Sequence, residues 1–259
     1  MDPESQVAQV RHIFSTVTPV YDLLNRVLSL REDVRWRRFV AACQRPGPRG
    51  RVLDVATGTA DLALALARRP ERPLVVGLDL VPAMLGPARR KVARAGARVR
   101  LLCGDATALP FPDQSFDAVT IAFGIRNIPH RHRALTEMLR VLVPGGRLYV
   151  LEFTTPTRPL VRRLYRLYLE HLLPRLGGLL SGDPASYQYL ARTILEFPTP
   201  DAFRAEMESA GFTAARSHAL TSGIAWVHIA QRRAAAAKGG TLTLRERGAP
   251  TPASPEPNR

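Results

Sequence analysis

Between residues 51 and 153 short apolar runs recur with polar, helix-forming stretches between them: RVLDVA (51–56), LVVGLD (74–79), RVRLLC (98–103), FDAVTIAF (116–123) and GRLYVLEF (146–153). Runs that are apolar at nearly every position, rather than at alternate ones, read as strands buried on both faces. Their regular alternation with helical patterns predicts a parallel sheet covered on each side. Two amphipathic segments precede them, around Gln6 to Leu30 and Asp33 to Cys43, with Pro19 breaking the first at its preceding residue. After Phe153 the pattern turns helical over 158–173, 185–195 and 200–210, the last stopping at Gly211. TAARSHAL and GIAWVHIA follow as two strands of a hairpin turning at Thr221-Ser222-Gly223. The expected fold is α/β: a doubly wound, mostly parallel, seven-stranded Rossmann-like sheet in one domain over 1–233, with N-terminal helices over 1–45 and a helical insertion over 156–198.

Composition trims and qualifies this picture. From about Ala234 to Arg259 the chain is poor in large apolar groups and rich in Pro, Gly and Ala, so 234–259 is expected to be a disordered tail. The formal net charge of +15 is carried almost wholly by arginine, the only lysines being Lys91 and Lys238. Such a balance invites a nucleic-acid or anionic-membrane partner. The arginines are scattered, with no long basic tract and no interleaved aromatic series, which favours solvated faces and no nucleic acid. Cys43 and Cys103, read as lying on a helix and a buried strand, form neither a disulfide framework nor a metal cluster. The N-terminus lacks a basic start and an apolar core, and no apolar run approaches the ~18 residues of a membrane span, so a cytoplasmic protein is expected, peripheral to the membrane at most.

In an open α/β sheet ligands bind beyond the carboxyl ends of the strands, and these ends are unusually polar here. The first ends in DVATGTAD, where Gly58 permits close backbone approach and Thr59 and Ala60 open a helix. Ala56 and Asp61 stand where a dinucleotide fingerprint would have its flanking glycines, which argues against a pyrophosphate cradle. The second ends in Asp79, 21 positions after Gly58, the separation at which an acid can accept from ribose hydroxyls. The third ends in Gly104-Asp105-Ala106, where an acid can accept from an adenine amine while the next backbone N–H donates to the ring. Any one of these aspartates alone reads as a helix cap or turn residue. At successive strand ends they point to an adenosine without phosphates that carries a carboxylate elsewhere, which describes S-adenosyl-L-methionine.

DVATGTADLALAL, VVGLDLVPAML, LLCGDATALPFPDQSFDAVTIAFGIRNI and RVLVPGGRLYVLEF resemble the successive motifs of class I S-adenosylmethionine-dependent methyltransferases. More narrowly, VYDLLNRVLS, FGIRNIP, LEFTTP, SGDPASYQYL with its later FP, and GIAWVHIA resemble the ubiquinone/menaquinone biosynthesis C-methyltransferases, over roughly Val10 to Gln231. The resemblance implies that Gly58, Thr59, Asp79, Asp105, Ala106 and Ala122 form the cofactor site and that the insertion is a substrate lid. It implies C-methylation of a polyprenyl quinol, with demethylmenaquinol first and a benzoquinol of ubiquinone synthesis second. The quinol would be met at a membrane surface, and the resemblance leaves room for a homodimer. Two departures stand out: Ala122 replaces a frequent serine, and Arg31 and Asp33 stand where a glycine and a histidine are usual, ahead of Trp36.

A ring carbon becomes nucleophilic only when the neighbouring hydroxyl loses its proton, so the chemistry needs a proton acceptor and positive charge near that oxygen. Arg126 supplies a permanent cation with five donors, and Asn127 can orient the quinol. The bland alternative for Arg126 is a surface arginine capping a carbonyl or paired with an acid such as Asp22. Tyr21, Asp22 and His228 are the candidate acceptors, His228 the least of them because a histidine on an apolar strand is usually core. Tyr187 and Tyr189 read as packing. Over 158–173, Leu160, Leu164, Tyr168 and Leu172 form one helical stripe with Arg162, Arg163 and Arg166 around it. Such stripes usually face a core, and this one is expected to do so, although a lid helix can also lie among lipid headgroups. The competing functions are methylation of another small molecule, nucleic-acid modification, and cofactor binding without catalysis. Against nucleic acid, FGIRN occupies the place where an amino-group methylase has D/N-P-P-Y/F/W.

Overall fold

A computed structural model describes residues 2–44, 50–181 and 183–235. It contains a seven-stranded sheet in the order β3-β2-β1-β4-β5-β7-β6. Strands β1 (Arg51–Val55), β2 (Leu74–Asp79), β3 (Val99–Cys103), β4 (Phe116–Ala122) and β5 (Leu142–Phe153) are parallel. The hairpin of β6 (Thr213–Leu220) and β7 (Ala225–Gln231) joins through β7, which runs antiparallel between β5 and β6. The strand order reverses between β1 and β4, so the crevice at their carboxyl ends is the switch point. All seven expected strands are present. The tail expected over 234–259 lies, beyond Ala235, outside the described residues.

Helices close both faces because the central strands are apolar on both sides. On one face, α3 (Glu32–Cys43), α4 (Asp61–Ala67) and α5 (Pro82–Ala95) cover the sheet through Trp36, Val40, Leu62 and Leu66. On the other, α6 (Arg131–Val141) and α10 (Pro200–Ser209) do so through Leu135, Met138, Phe203 and Met207. A third cluster sits over the strand ends, where α2 (Tyr21–Leu28) meets α7 (Pro159–Leu167), a π-helical turn (Tyr168–Leu172), α8 (Leu173–Ser181) and α9 (Pro184–Leu195) through Leu24, Tyr165, Leu169, Leu173 and Tyr187. Helix α1 (Pro3–Val17) stops just before Pro19. Cys103, placed on a buried strand by its apolar run, is exposed because β3 is the sheet edge. The stripe over 158–173 also departs from expectation: Leu160 and Leu164 are 70% and 59% exposed, and Tyr165 is the residue that α7 buries.

Arg31 shows what a departure from glycine costs locally. It precedes α3 with φ 65° and ψ 8°, in the left-handed region, makes no side-chain cap, and follows Leu30 at φ 51°. A side chain there carries a steric penalty that glycine avoids. Arg31→Gly should raise stability by about 0.5–1 kcal/mol, seen as a higher melting temperature.

His228 is a core residue. Its Nδ1 lies 2.8 Å from Ser217 Oγ across the hairpin, its ring meets Phe203 edge-on at 4.9 Å, and its Nε2 is buried with no hydrogen-bond partner. Burial lowers its pKa from 6.5 to about 4. The unfolded chain therefore takes up the proton first, and the stability this group contributes is full above pH 6.5 and is lost as pH falls toward 4. Asp54 has the opposite sign. Burial pushes it from 3.8 up to about 6 against the opposing hydroxyls of Thr120 and Thr57, so folding gains stability from it as pH falls through that range. His228→Gln should remove the first trend. The difference in stability between variant and wild type should shift in the variant's favour by about 2 kcal/mol between about pH 7.5 and pH 5, measured by urea titration at both pH values.

Candidate active site

Two cavities meet at the switch point. The smaller, about 130 Å³, lies against the ends of β1, β2 and β3 and is lined by Gly58, Asp79, Asp105, Ala106 and Ala122, with Val7, Val10 and Phe14 of α1 above it. Asp79 Oδ2 accepts from Gly58 N at 2.7 Å and Oδ1 from Val81 N at 2.9 Å. A carboxylate has about four lone-pair sites, so two remain for a ligand's hydroxyls. Burial raises the Asp79 carboxyl, opposed by the amides of Val81 and Gly58. Asp105 Oδ1 takes the Thr107 backbone and side-chain donors, at 2.7 and 2.9 Å. Gly58 itself has φ +54°, and a Cβ there would lie 4.0 Å from the Tyr21 ring. These groups suit a neutral, hydroxyl-rich moiety with an amine-bearing ring, which is the adenosine part of S-adenosyl-L-methionine. Ala122 lines the wall with a methyl group where a hydroxyl was noted as missing.

Thr59 is not part of that lining. Its Oγ1 donates to Asp22 Oδ1 at 2.6 Å and accepts from Lys91 Nζ at 3.0 Å. Lys91 also reaches Asp22 Oδ2 at 2.7 Å and Asp61 Oδ1 at 2.6 Å. Arg26 Nη2 binds Asp61 at 2.7 Å and its Nη1 binds Asp33, which is shared with Arg37 Nη1 at 2.8 Å. Arg26, Arg37 and Lys91 thus balance Asp22, Asp33 and Asp61, tying α2 and α3 to α4 and α5. Asp33, in the place of a usual histidine, is the buried hub of this network.

The larger cavity, about 470 Å³, is walled by α2, α3 and the α7–α9 helices and is almost wholly apolar. Phe14, Tyr21 and Phe123 line both cavities. At the junction Phe123 stacks on Phe153, with centroids 4.4 Å apart, and each ring carries a guanidinium: Arg37 Cζ is 5.0 Å from the Phe123 centroid and Arg126 Cζ is 5.6 Å from that of Phe153. Sequence pattern placed Phe123 within the strand. It stands just past it at φ 58°, and the reversal sends Ile125–Asn127 into a short 3₁₀ turn. Gly124 allows this, since a Cβ there would lie 2.6 Å from Ala56 Cβ.

That turn presents Arg126 to the large cavity and Asn127 to the small one. Arg126 is not paired with Asp22. Its Nη1 binds Glu152 Oε1 at 2.6 Å and Phe123 O at 2.7 Å, and the two side chains are 6% and 0% exposed. Its Nε is buried with no hydrogen-bond partner. Burial raises the Glu152 carboxyl, opposed by Arg126. Glu152 is the site residue that reading the chain missed; an acid within the apolar run YVLEF was the available signal. Asn127 Oδ1 accepts from Tyr189 Oη at 3.2 Å, which ties α9 to the turn. Of the three candidate proton acceptors only Tyr21 lines the large cavity; Asp22 faces Lys91 and His228 lies in the core. Burial pushes the Tyr21 hydroxyl up, with Arg37 opposing, so it is protonated at neutral pH.

A doubly wound sheet whose switch point carries Gly58, Asp79 and Asp105 around a small cavity, with a larger apolar one adjoining it, defines a protein of the class I methyltransferase type. A SAM-dependent methyltransferase from Thermotoga maritima has the same fold, with a TM-score of 0.62 at 21% identity over 86% of this chain and 99% of that one. The chain belongs to the ubiE/COQ5 methyltransferase family, whose model matches residues 3–232. It is 50% identical over 220 residues to "Demethylmenaquinone methyltransferase" of Thermus thermophilus, spanning 85% of this chain and all of that one. It is 46% identical over 227 residues to "Ubiquinone/menaquinone biosynthesis C-methyltransferase UbiE" of Geobacter sulfurreducens, covering 86% and 88%.

Removing one member of a buried ion pair strands the other. Glu152→Gln should destabilise the fold by about 3 kcal/mol in urea denaturation, while joint replacement with Arg126→Met and Glu152→Leu costs less than the single change.

Proposed function

We propose that this protein methylates a ring carbon of a polyprenyl quinol, demethylmenaquinol first, with S-adenosyl-L-methionine as methyl donor. The observation that carries this reading is the junction of the two cavities: a small one edged by Gly58, Asp79 and Asp105 adjoins a larger, mainly apolar one across Phe123 and Tyr21, with Arg126 on the wall of the larger. The relatives named as demethylmenaquinone and ubiquinone/menaquinone methyltransferases support it. Gly58, Asp79, Asp105 and Ala106 hold the adenosyl group, Asp79 by its ribose hydroxyls, while Thr59 fixes the loop from behind through Asp22. When bound, S-adenosyl-L-methionine supplies an electrophilic methyl on a sulfonium whose departure leaves a neutral thioether.

The chain's own task is to make the ring carbon nucleophilic. The quinol hydroxyl gives its proton to water, and Arg126 donates to the oxygen as it becomes negative. The arginine's pairing with Glu152 makes this a matter of aimed donors rather than of a bare cation. Once the ring carbon has taken the methyl, its own hydrogen leaves as a proton to water while the oxygen is reprotonated. Tyr21, held protonated, orients the hydroxyl, and Asn127 keeps the turn in place through Tyr189. The aromatic pair Phe123 and Phe153 gives the quinol ring a flat wall, and the helices α7–α9 wrap the isoprenoid and exclude water. Such a substrate resides in a bilayer, so the protein works at a membrane surface.

Labelled methyl from S-adenosyl-L-methionine should appear on a reduced demethylmenaquinone analogue. Appearance on RNA and never on reduced quinones overturns the reading. Arg126→Lys, which keeps a cation for Glu152, should lower turnover by about 10²–10³-fold while the cofactor's dissociation constant stays within about twofold of wild type. Unchanged turnover removes Arg126 from the mechanism.

A further inference from the structure

Two helices present leucine to solvent on one side of the molecule. On α7 the positions i, i+4 and i+7 are Leu160, Leu164 and Leu167, all exposed. On α2 and just beyond it, the same spacing gives Leu23, Val27 and Leu30, also exposed. Their opposite faces are already packed together, Leu24 against Tyr165 and Leu169, and Tyr168 Oη donates to Leu28 O at 2.9 Å. Among the described residues these side chains are left largely uncovered. Leu30, 86% exposed, and Leu164 also line the large cavity, which places its mouth between the end of α2 and α7. Charge surrounds this mouth unevenly. Arg158, Arg162 and Arg163 are exposed and have no acidic partner among the described residues, whereas the acids nearby, Glu170 and Glu32, are bound to Arg166 and Arg35.

We infer that this face, the leucines of α2 and α7 with the arginines of α7, docks on an anionic lipid bilayer and sets the cavity mouth against its hydrocarbon. The inference rests on the quinol reading only for its purpose; the surface itself is read from exposure and charge. Leucines at the headgroup boundary with arginines at the rim are how a helix lies in an interface. Unpaired arginines gain from anionic headgroups. A second copy of this chain is the poorer occupant, since a two-fold contact would set these arginines against their own equivalents. Docking at the mouth also removes a barrier, because a long isoprenoid can pass from bilayer to cavity without crossing water.

The full chain should co-sediment with phosphatidylcholine vesicles containing phosphatidylglycerol, more weakly with phosphatidylcholine alone, and less as salt rises. Leu160→Ser with Leu167→Ser, and separately Arg162→Glu with Arg163→Glu, should each lower partition at least about tenfold. None of these four residues lines the cavity. Turnover on a water-soluble short-chain quinol should stay at the wild-type level in both variants, which also reports that they fold, while turnover on vesicle-embedded long-chain quinol falls with the partition. Wild-type partition in both double variants overturns the inference. So does a wild-type chain that ignores the vesicles and sediments as a dimer that the variants convert to monomer. A wild-type chain that binds vesicles yet methylates neither quinol would sink the substrate reading and leave the docking surface standing.

Discussion

The pairing of Arg126 with Glu152 is the constraint around which the site is arranged. Both side chains are almost wholly out of water, so each would be strongly disfavoured alone. The pair persists because further hydrogen bonds surround it: Arg126 Nη1 also reaches Phe123 O, and Glu152 accepts from the Phe153 amide at 2.9 Å. Those contacts join the end of β4 to the end of β5 and hold the chain in the reversal at Phe123. The reversal in turn needs Gly124 against Ala56 at the end of β1. One ion pair thus sets the wall shared by both cavities.

The two groups of helices over that wall are attached by different physics. Helices α7–α9 are held by an apolar cluster and by the Tyr189–Asn127 hydrogen bond. Helix α2 joins the same cluster through Leu24, but its other side is held by charge, Asp22 and Arg26 reaching Thr59, Lys91 and Asp61. That attachment keeps the Tyr21 ring over Gly58, at the boundary between the cavities. It also accounts for Asp33. An acid in place of a neutral ring would be an unpaired buried charge, except that Arg26 and Arg37 both converge on it.

The lining of the small cavity was legible because one rule governs it. Strand ends at a switch point carry the ligand contacts, and Gly58, Asp79, Asp105 and Ala106 lie there by counting alone. Thr59 obeys the same count but turns the other way, since the left-handed Ala60, φ 69°, starts α4 with the hydroxyl toward Asp22. Such a rotation has no signature in residue order. The wall of the large cavity was less legible for the same reason. Arg126 stood out as a charge after an apolar strand, yet its partner is 26 residues away on β5, and only the pairing of β4 with β5 brings Glu152 beside it. Asp22 was the nearer guess by helix position, but it had already been taken by Lys91, on the far side of α2.

The stripe of α7 marks a different limit. A helical period states which residues share a face, and it is silent about what that face meets. The usual assumption is that leucines go inward, because burial of apolar surface is the main favourable term. Here the face of α7 that packs on the cluster is taken by Tyr165, and Leu164 reaches only the mouth of the large cavity. Tyr165, Leu169 and Leu173 close against Leu24 and Tyr187, and the π-helical turn at Tyr168–Leu172 shifts the register so that α8 continues the buried side while α7 keeps Leu160 and Leu164 outside. Moving them in would require moving Tyr165 out, giving up the larger buried side chain for a smaller one. The exposed stripe is therefore a consequence of how the third cluster is packed, not of loose attachment of the helix.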